Sequence, residues 1–232
     1  MIVVRRSQDR GYFDHGWLKT YHTFSFADYH DPKFMGFRSL RVINEDRVAP
    51  GRGFPTHAHA DMEILSYVLE GGLAHQDSLG NGSVIRPGEL QRMSAGTGVR
   101  HSEANAAAAE IVHFLQIWIL PERRGIAPSY EQREFGLAAA PGRWVLMASP
   151  AGKDGSLRIH QDVRLSGAVI EPVQSLGYEL GSERHAWIQV ARGEVSVDDV
   201  HLNAGDGLAA SELTAVEIAA HQPSEVLLFD LS

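Results

Sequence analysis

Two short segments carry the side chains best suited to chemistry. Gly51-Arg-Gly-Phe-Pro-Thr-His57-Ala-His59-Ala-Asp-Met-Glu63 places two imidazoles two residues apart. Gly96-Thr-Gly-Val-Arg-His101-Ser-Glu103-Ala-Asn105 places an imidazole and a carboxylate at the same spacing. A β-strand sends residues i and i+2 to one face, so His57 shares a face with His59, and His101 with Glu103. If the fold joins those strands, three imidazoles and a carboxylate converge, a donor set for a first-row divalent metal such as iron, copper, nickel or zinc. The rest of the chain is then read for strands able to bring them together.

There is no cysteine, which excludes disulfides, thiolate metal sites, iron–sulfur clusters and cysteine nucleophiles. Any metal must be held by nitrogen and oxygen. The 232 residues, 44% apolar, fit one large domain or two of about a hundred residues each. A formal charge of −8 with no run of Lys or Arg argues against nucleic acid or an anionic membrane as direct partner. The N-terminus, Met-Ile-Val-Val-Arg-Arg-Ser, turns polar at once, with no apolar core of signal-peptide length behind it. The longest apolar segment, Ile111 to Leu120, is interrupted by His113 and Gln116 and reaches about half a membrane span. The expectation is a soluble, cytoplasmic monomer.

From Ser39 to Leu120 the sequence alternates in short runs separated by glycine and proline turns: Pro50-Gly51, Gly71-Gly72, Gly80-Asn81-Gly82, Pro87-Gly88 and Gly96/Gly98. Short strands at hairpin spacing point to an all-β sandwich or barrel. Helical periodicity shows only weakly, around Tyr130 to Ala140. The aromatic segment with Phe24, Phe26 and Tyr29 reads as a strand or as an extended cover over apolar surface. Pro121 to Arg143, rich in charge, Ala, Gly and Pro, is the linker candidate. The expected division is an N-terminal metal-binding barrel at 1–130, a linker at 131–143 and a C-terminal barrel at 144–232.

The second half repeats the first in degenerate form. Ala186-Trp-Ile-Gln-Val-Ala-Arg-Gly193 parallels Ser66-Tyr-Val-Leu-Glu-Gly71, and Glu225-Val-Leu-Leu-Phe-Asp-Leu parallels the apolar run before Leu120. Counted from the shared glycines, the positions of His57, His59, His101 and Glu103 fall on Glu179, Gly181, Ile218 and Ala220, give or take a residue or two for gaps. His185 falls at the position of Glu63. No His-x-His or His-x-Glu pair occurs in 144–232, so the second barrel is expected to hold no metal.

These motifs resemble the cupin superfamily, whose first motif is a Gly, five residues, His-x-His, a Glu and a closing Gly. Gly51, His57, His59 and Gly71 match it, with the Glu one residue early at Glu63. The second motif appears as Gly98-Val-Arg-His101-Ser-Glu-Ala-Asn105, its usual Pro replaced by Gly96. A longer likeness is to the pirin family. It is carried by His22-Thr-Phe-Ser-Phe-Ala-Asp-Tyr, Leu40-Arg-Val-Ile-Asn, Asp61-Met-Glu-Ile-Leu-Ser-Tyr-Val-Leu-Glu-Gly, His75-Gln-Asp-Ser, Met93-Ser-Ala-Gly-Thr-Gly and His101-Ser-Glu. That likeness spans most of residues 10–120 and is much weaker over 144–232. It implies an all-β fold of two tandem cupin (double-stranded β-helix, jelly-roll) barrels. It also implies one metal, held by His57, His59, His101 and Glu103. The ion expected is Fe(II), with Cu, Ni, Zn, Mn or Co as alternatives.

The resemblance further implies activity like that of quercetin 2,3-dioxygenases. A flat, flavonol-like substrate and dioxygen would be the reactants, with loss of carbon monoxide from the broken ring. Glu103 can serve as ligand or as the general base that takes the flavonol proton, and the sequence leaves both open. The alternative implied by the family is a metal-dependent regulatory protein that binds a protein partner, such as a transcription cofactor or a modulator of a metabolic enzyme. Other polar residues receive plainer readings. Glu63 is read as an outer partner or an ion-pair member rather than a ligand, and His75 and His113 as satisfied buried histidines. Gln116 and Trp118 line the cavity or pack in the core, Gly96 and Gly98 serve turn geometry, and His160-Gln-Asp162 is structural and outside the metal barrel.

Overall fold

The computed structural model describes all 232 residues, which form two compact units. The N-terminal unit comprises Gly11–Phe135 and Ile159–Gln161; the C-terminal unit comprises Met1–Arg10, Gly136–Arg158 and Asp162–Ser232. Short alternating runs ended by glycine turns become strands, and the only helical pieces are three 3-10 turns. No helix is long and apolar enough to cross a membrane.

In chain order, β1 (Ile2–Arg5) is followed by β2 (Gly11–Asp14), β3 (Leu18–His22), β4 (Leu40–Val48), β5 (Gly53–His59), β6 (Glu63–Glu70) and β7 (Leu73–Asp77). Next come β8 (Gly82–Ile85), β9 (Glu89–Ser94), β10 (Val99–Asn105), β11 (Val112–Ile119) and β12 (Ser129–Glu134). The remaining strands are β13 (Val145–Ser149), β14 (Leu157–Arg158), β15 (Val163–Ile170), β16 (Ser175–Glu179), β17 (His185–Arg192), β18 (Glu194–Val197), β19 (Val200–Asn203), β20 (Gly207–Ala210), β21 (Ala215–Ala220) and β22 (Ser224–Leu231).

Each unit is a flattened jelly roll of a seven-stranded and a four-stranded sheet. In the N-terminal unit the orders are β12-β9-β6-β11-β4-β3-β2 and β5-β10-β7-β8; in the C-terminal unit they are β1-β20-β17-β22-β15-β13-β14 and β16-β21-β18-β19. The two sheets of a unit meet through side chains, with no hydrogen-bonded seam closing them. This is the all-β, two-cupin architecture anticipated above.

The boundaries differ from the expected division in three places. Ile2–Arg5 belongs to the C-terminal unit, where it pairs with β20 from Ile2↔Ala210 to Arg5↔Gly207 and covers a sheet edge that would otherwise be open. Residues 131–134 are not linker: they end β12, which pairs with β9 from Ser129↔Ser94 to Glu134↔Glu89. Its charged residues suit an edge strand, and the weak helical pattern there resolves into this strand and a 3-10 turn at Leu137–Ala139. Ile159–Gln161 joins the N-terminal unit, so His160 lies within the N-terminal barrel and not outside it.

The N-terminal unit's interior is layered. Leu18, Val48, Val68, Leu73, Ile85, Val112 and Phe114 form one buried apolar cluster, and Ile64, Met93, Ala95 and Val99, with Trp118 and Tyr130 against them, form another. Ile64, Ser66 and Val68 alternate inward along β6, so Ser66 falls between the two clusters, as does Gln116 on β11, its cross-strand partner. Residues 23–39 make the cover: Phe24 is buried, Phe26 bridges to Tyr29, and Phe26 meets the Trp118 indole edge-on at 5.3 Å.

Strand pairing also aligns the repeat. Glu63↔Ile119 corresponds to His185↔Leu231, which equates Glu63 with His185 as the offsets indicate. His57↔His101 corresponds to Tyr178↔Val216, and Glu103↔His75 to Ile218↔Val197. His59 then matches Leu180, whose N–H bonds to Thr214. The offset count is therefore one residue off on β16 and two on β21. The four corresponding positions hold Tyr178, Leu180, Val216 and Ile218.

Candidate metal centre

The site is built where β5 runs antiparallel beside β10. Val99 pairs with His59 and His101 with His57, and an irregularity between His101 and Glu103 sets Glu103 opposite Phe54. Directly opposed residues point to one face, so alternation on each strand and register between them deliver three imidazoles to one place. The ligand-type nitrogens of His57, His59 and His101 all lie within 4.8 Å of one another. The ring centroids are 4.5 Å apart for His57 and His101, 4.7 Å for His57 and His59, and 4.9 Å for His59 and His101.

The nitrogens are oriented for a shared ion. His57 Nδ1 is 2.8 Å from the Pro55 carbonyl oxygen; a carbonyl only accepts, so Nδ1 carries the proton and Nε2 the lone pair. That Nε2 sits 3.1 Å from His101 Nε2. Two imidazoles binding one ion at about 2.0–2.1 Å each place their nitrogens about 3 Å apart when they meet at a right angle. His101 Nδ1 is buried without a hydrogen-bond partner, so the fold satisfies at most the Nε2 side of this ring. Burial, then the neighbouring His57, lowers His59 to about 4. Burial, then His57, His59 and His75, lowers His101 to about 3. Both rings are neutral near pH 7, as metal-binding imidazoles must be. The residues present fit a divalent transition metal.

Glu103 lies deeper, 2% exposed. Ser66 Oγ is 3.1 Å from its Oε1, and Gln116 Nε2 donates to its Oε2 at 2.8 Å. Ser66 Oγ also lies 2.9 Å from Gln116 Oε1. Burial raises the Glu103 carboxyl to about 7, helped by the charge of Asp46 and opposed by the bonds from Ser66 and Gln116. One of its oxygens clusters with a nitrogen of His101 and one of His75, within 4.8 Å. Of the four residues expected as ligands, then, three imidazoles share one cluster and Glu103 joins it through His101. Ser66 went unnoticed in the sequence. Its only signal is its place opposite Gln116, which needs the register of two strands fifty residues apart.

The other singled-out residues fall as follows. Glu63 does not continue the parity of His59, because the chain turns between β5 and β6 with Asp61 at φ +50°. It lies on the face of β6 opposite Ser66, where its buried Oε2 accepts from Ser94 Oγ at 3.0 Å and from the His160 backbone N–H at 3.1 Å. It is thus an anchoring partner, with the His160 ring 3.4 Å away. His113 is satisfied by Glu45 Oε1 at 2.9 Å. Trp118 stands edge-on to His59 at 5.0 Å. Gly96 is at φ +47°, and a Cβ there would collide with the Ile126 carbonyl, so it serves the turn.

Comparison with known proteins identifies the family and the fold. The Pirin family model matches residues 3–119, and that of the quercetinase C-terminal cupin domain matches residues 146–231. Quercetin 2,3-dioxygenase of Escherichia coli strain K12 is 51% identical over 232 residues, 100% of this chain and 99% of that protein. The crystal structure of YhhW from E. coli superposes with a TM-score of 0.97 at 50% identity, covering 100% of this chain and 98% of that one. The structure of the bacterial pirin YhhW in complex with nickel(II) gives 0.95 at 50% identity, with 100% and 99% covered.

Proposed function

The chain belongs to the pirin family, and from that premise we propose that it is a metal-dependent dioxygenase that opens the ring of a flavonol such as quercetin with dioxygen. The ion is held by His57, His59 and His101, with Glu103 as the carboxylate of the set; the C-terminal unit holds none. The observation that carries this reading is the convergence of three imidazoles within 4.8 Å beside a buried carboxylate. The names of the E. coli relatives, one of them a quercetin 2,3-dioxygenase and one bound to nickel(II), support it. Fe(II) is the ion proposed for the oxygen chemistry.

When bound, the ion supplies a Lewis acid and a template on which reactants are oriented. The chain's own residues do the rest. Glu103 lies buried beside the imidazoles, so one of its carboxylate oxygens can take the proton of the flavonol hydroxyl. Ser66 and Gln116 hold that carboxylate in place. Trp118 and Phe26, edge to face, offer apolar walls suited to a flat aromatic ring and keep water from the reacting carbons. Ring opening uses both atoms of dioxygen and releases the carbon that bore the hydroxyl as carbon monoxide.

The test is to strip the protein with a chelator, reload it with Fe(II), Ni(II) or Cu(II), and follow quercetin absorbance in air and under argon. Oxygen-dependent loss with at least one ion, absent in His101→Ala/Glu103→Ala, is the expected result. Loss that persists in that double variant would assign the turnover to adventitious metal. No loss with any ion, while the ion remains bound, would favour the regulatory, partner-binding role instead.

A further inference from the structure

We propose that the N-terminal unit offers its ion a second, inner position, held by His75, His101 and Glu103 and sharing His101 and Glu103 with the outer set. The inference rests on the metal-centre reading above. The three donor atoms lie within 4.8 Å of one another, and the side chains are buried, at 1%, 1% and 2% exposure. Register explains the placement. β10 lies between β5 and β7, so His101 faces His57 on one side, while on the other Glu103 pairs directly with His75. Because they share His101 and Glu103, the two sets hold one ion at a time.

The two sets differ in chemistry. The outer set, richer in imidazole, suits nickel, copper or zinc. Two imidazoles and a carboxylate with open positions form the set used by non-haem Fe(II) oxygenases, and a carboxylate favours harder ions such as manganese.

His75 is already held as a ligand imidazole is held. Its Nε2 lies 3.2 Å from Asp77 Oδ2, and its Nδ1 lies 3.2 Å from Gln91 Nε2. Whichever nitrogen turns to the ion, the other keeps an orienting partner, the arrangement that fixes metal-bound imidazoles. The bonds to His75 are at the long end of the hydrogen-bond range, so exchanging one gives up little. Glu103 keeps free lone pairs on oxygens that each accept one bond. In the same layer Gln91 Oε1 and His101 Nδ1 are buried and unpartnered, although buried polar atoms normally find partners.

The probes are Mn(II) and Cu(II) added to the chelator-stripped full chain. In His57→Ala/His59→Ala the outer set is gone and the inner one intact. One Mn(II) should still bind, more weakly, and the Cu(II) spin-resonance spectrum should show coupling to two ring nitrogens. Adding His75→Gln should lower the residual affinity by about tenfold or more and leave coupling to one nitrogen. In the otherwise wild-type protein, which does not depend on the double variant folding, His75→Gln should weaken Mn(II) by about tenfold and leave Cu(II) nearly unchanged. A double variant with an unaltered melting temperature that binds no ion would overturn the inference. So would a two-nitrogen spectrum indifferent to His75→Gln, or Mn(II) and Cu(II) weakened alike, as a purely structural role predicts. Failure of the wild-type protein to bind any ion is a different outcome, and strikes the metal-centre reading itself.

Discussion

In the N-terminal unit, Ser66, His75, Gln91, His101, Glu103 and Gln116 form a buried or half-buried polar layer between two apolar clusters. Aligned through strand pairing, the C-terminal unit has Ile188, Val197, Leu208, Val216, Ile218 and Leu228 at those positions, all members of one apolar cluster. Asp46, raised to about 7 chiefly by its burial, corresponds to Ala168. Turns are kept where the interior is not: Gly71 and Gly193 both close their hairpins at positive φ, +76° and +81°. The same backbone therefore packs an aliphatic interior without difficulty. Burying polar side chains in this central layer is a cost that only one copy bears, and features that break the rules of stable packing concentrate at functional sites.

That contrast can be broken from either side. The largest effect is expected from Ile218→Glu, which puts the N-terminal unit's carboxylate into the C-terminal core without Ser66 or Gln116 to hold it. An unpaired buried charge costs about 3–5 kcal/mol, read as a lowered midpoint in denaturant. The reverse exchange, His101→Val with Glu103→Ile, should abolish tight metal binding, a loss beyond the roughly 100-fold that an outer partner costs. The apo fold should remain intact by circular dichroism. Gln116→Leu, which removes one donor to Glu103, should lower metal affinity or turnover by about 10- to 100-fold.

A smaller effect concerns pH. The folded-state value of Asp46 lies above its usual 3.8, at about 7, so the native chain binds more protons than the unfolded one between those values. Its contribution to stability is full below about 4 and is lost as pH rises toward 7. The lowered His59 and His101 act in the opposite direction over pH 5 to 8, so the readout is a difference: relative to Asp46→Asn, the apo wild-type protein should lose melting temperature as pH rises from 5 to 8. Smallest of all, Glu63→Gln should leave metal content unchanged and lower the melting temperature only modestly, through weaker bonds to Ser94 and the His160 backbone.

Much of this was legible in the residues. The i,i+2 spacing of His57 with His59 and of His101 with Glu103 placed each pair on a face, and glycine punctuation marked most of the turns. What escaped depends on pairing between distant segments. Ile2–Arg5 reads locally as an N-terminal strand of whatever follows, yet it pairs with β20. The bonds of Glu63 to His160 join residues 97 apart. Ser66 looks like an ordinary strand serine until register sets it against Gln116 and Glu103. His75 was read as a satisfied buried histidine, and its bonds to Asp77 and Gln91 agree; its closeness to Glu103 comes from the β7–β10 register. Cross-strand register is a property of the whole sheet, and local composition does not carry it.

The most direct test of the central claim is metal stoichiometry. Chelator-stripped protein, reloaded with Ni(II), dialysed and assayed by elemental analysis, should retain one ion per chain. His57→Ala/His59→Ala should lose that tightly held ion, while Tyr178→Ala/Leu180→Ala, at the corresponding positions of the C-terminal unit, should retain it. Undiminished nickel in the first variant, or two tightly held ions in the wild-type chain, would contradict the account.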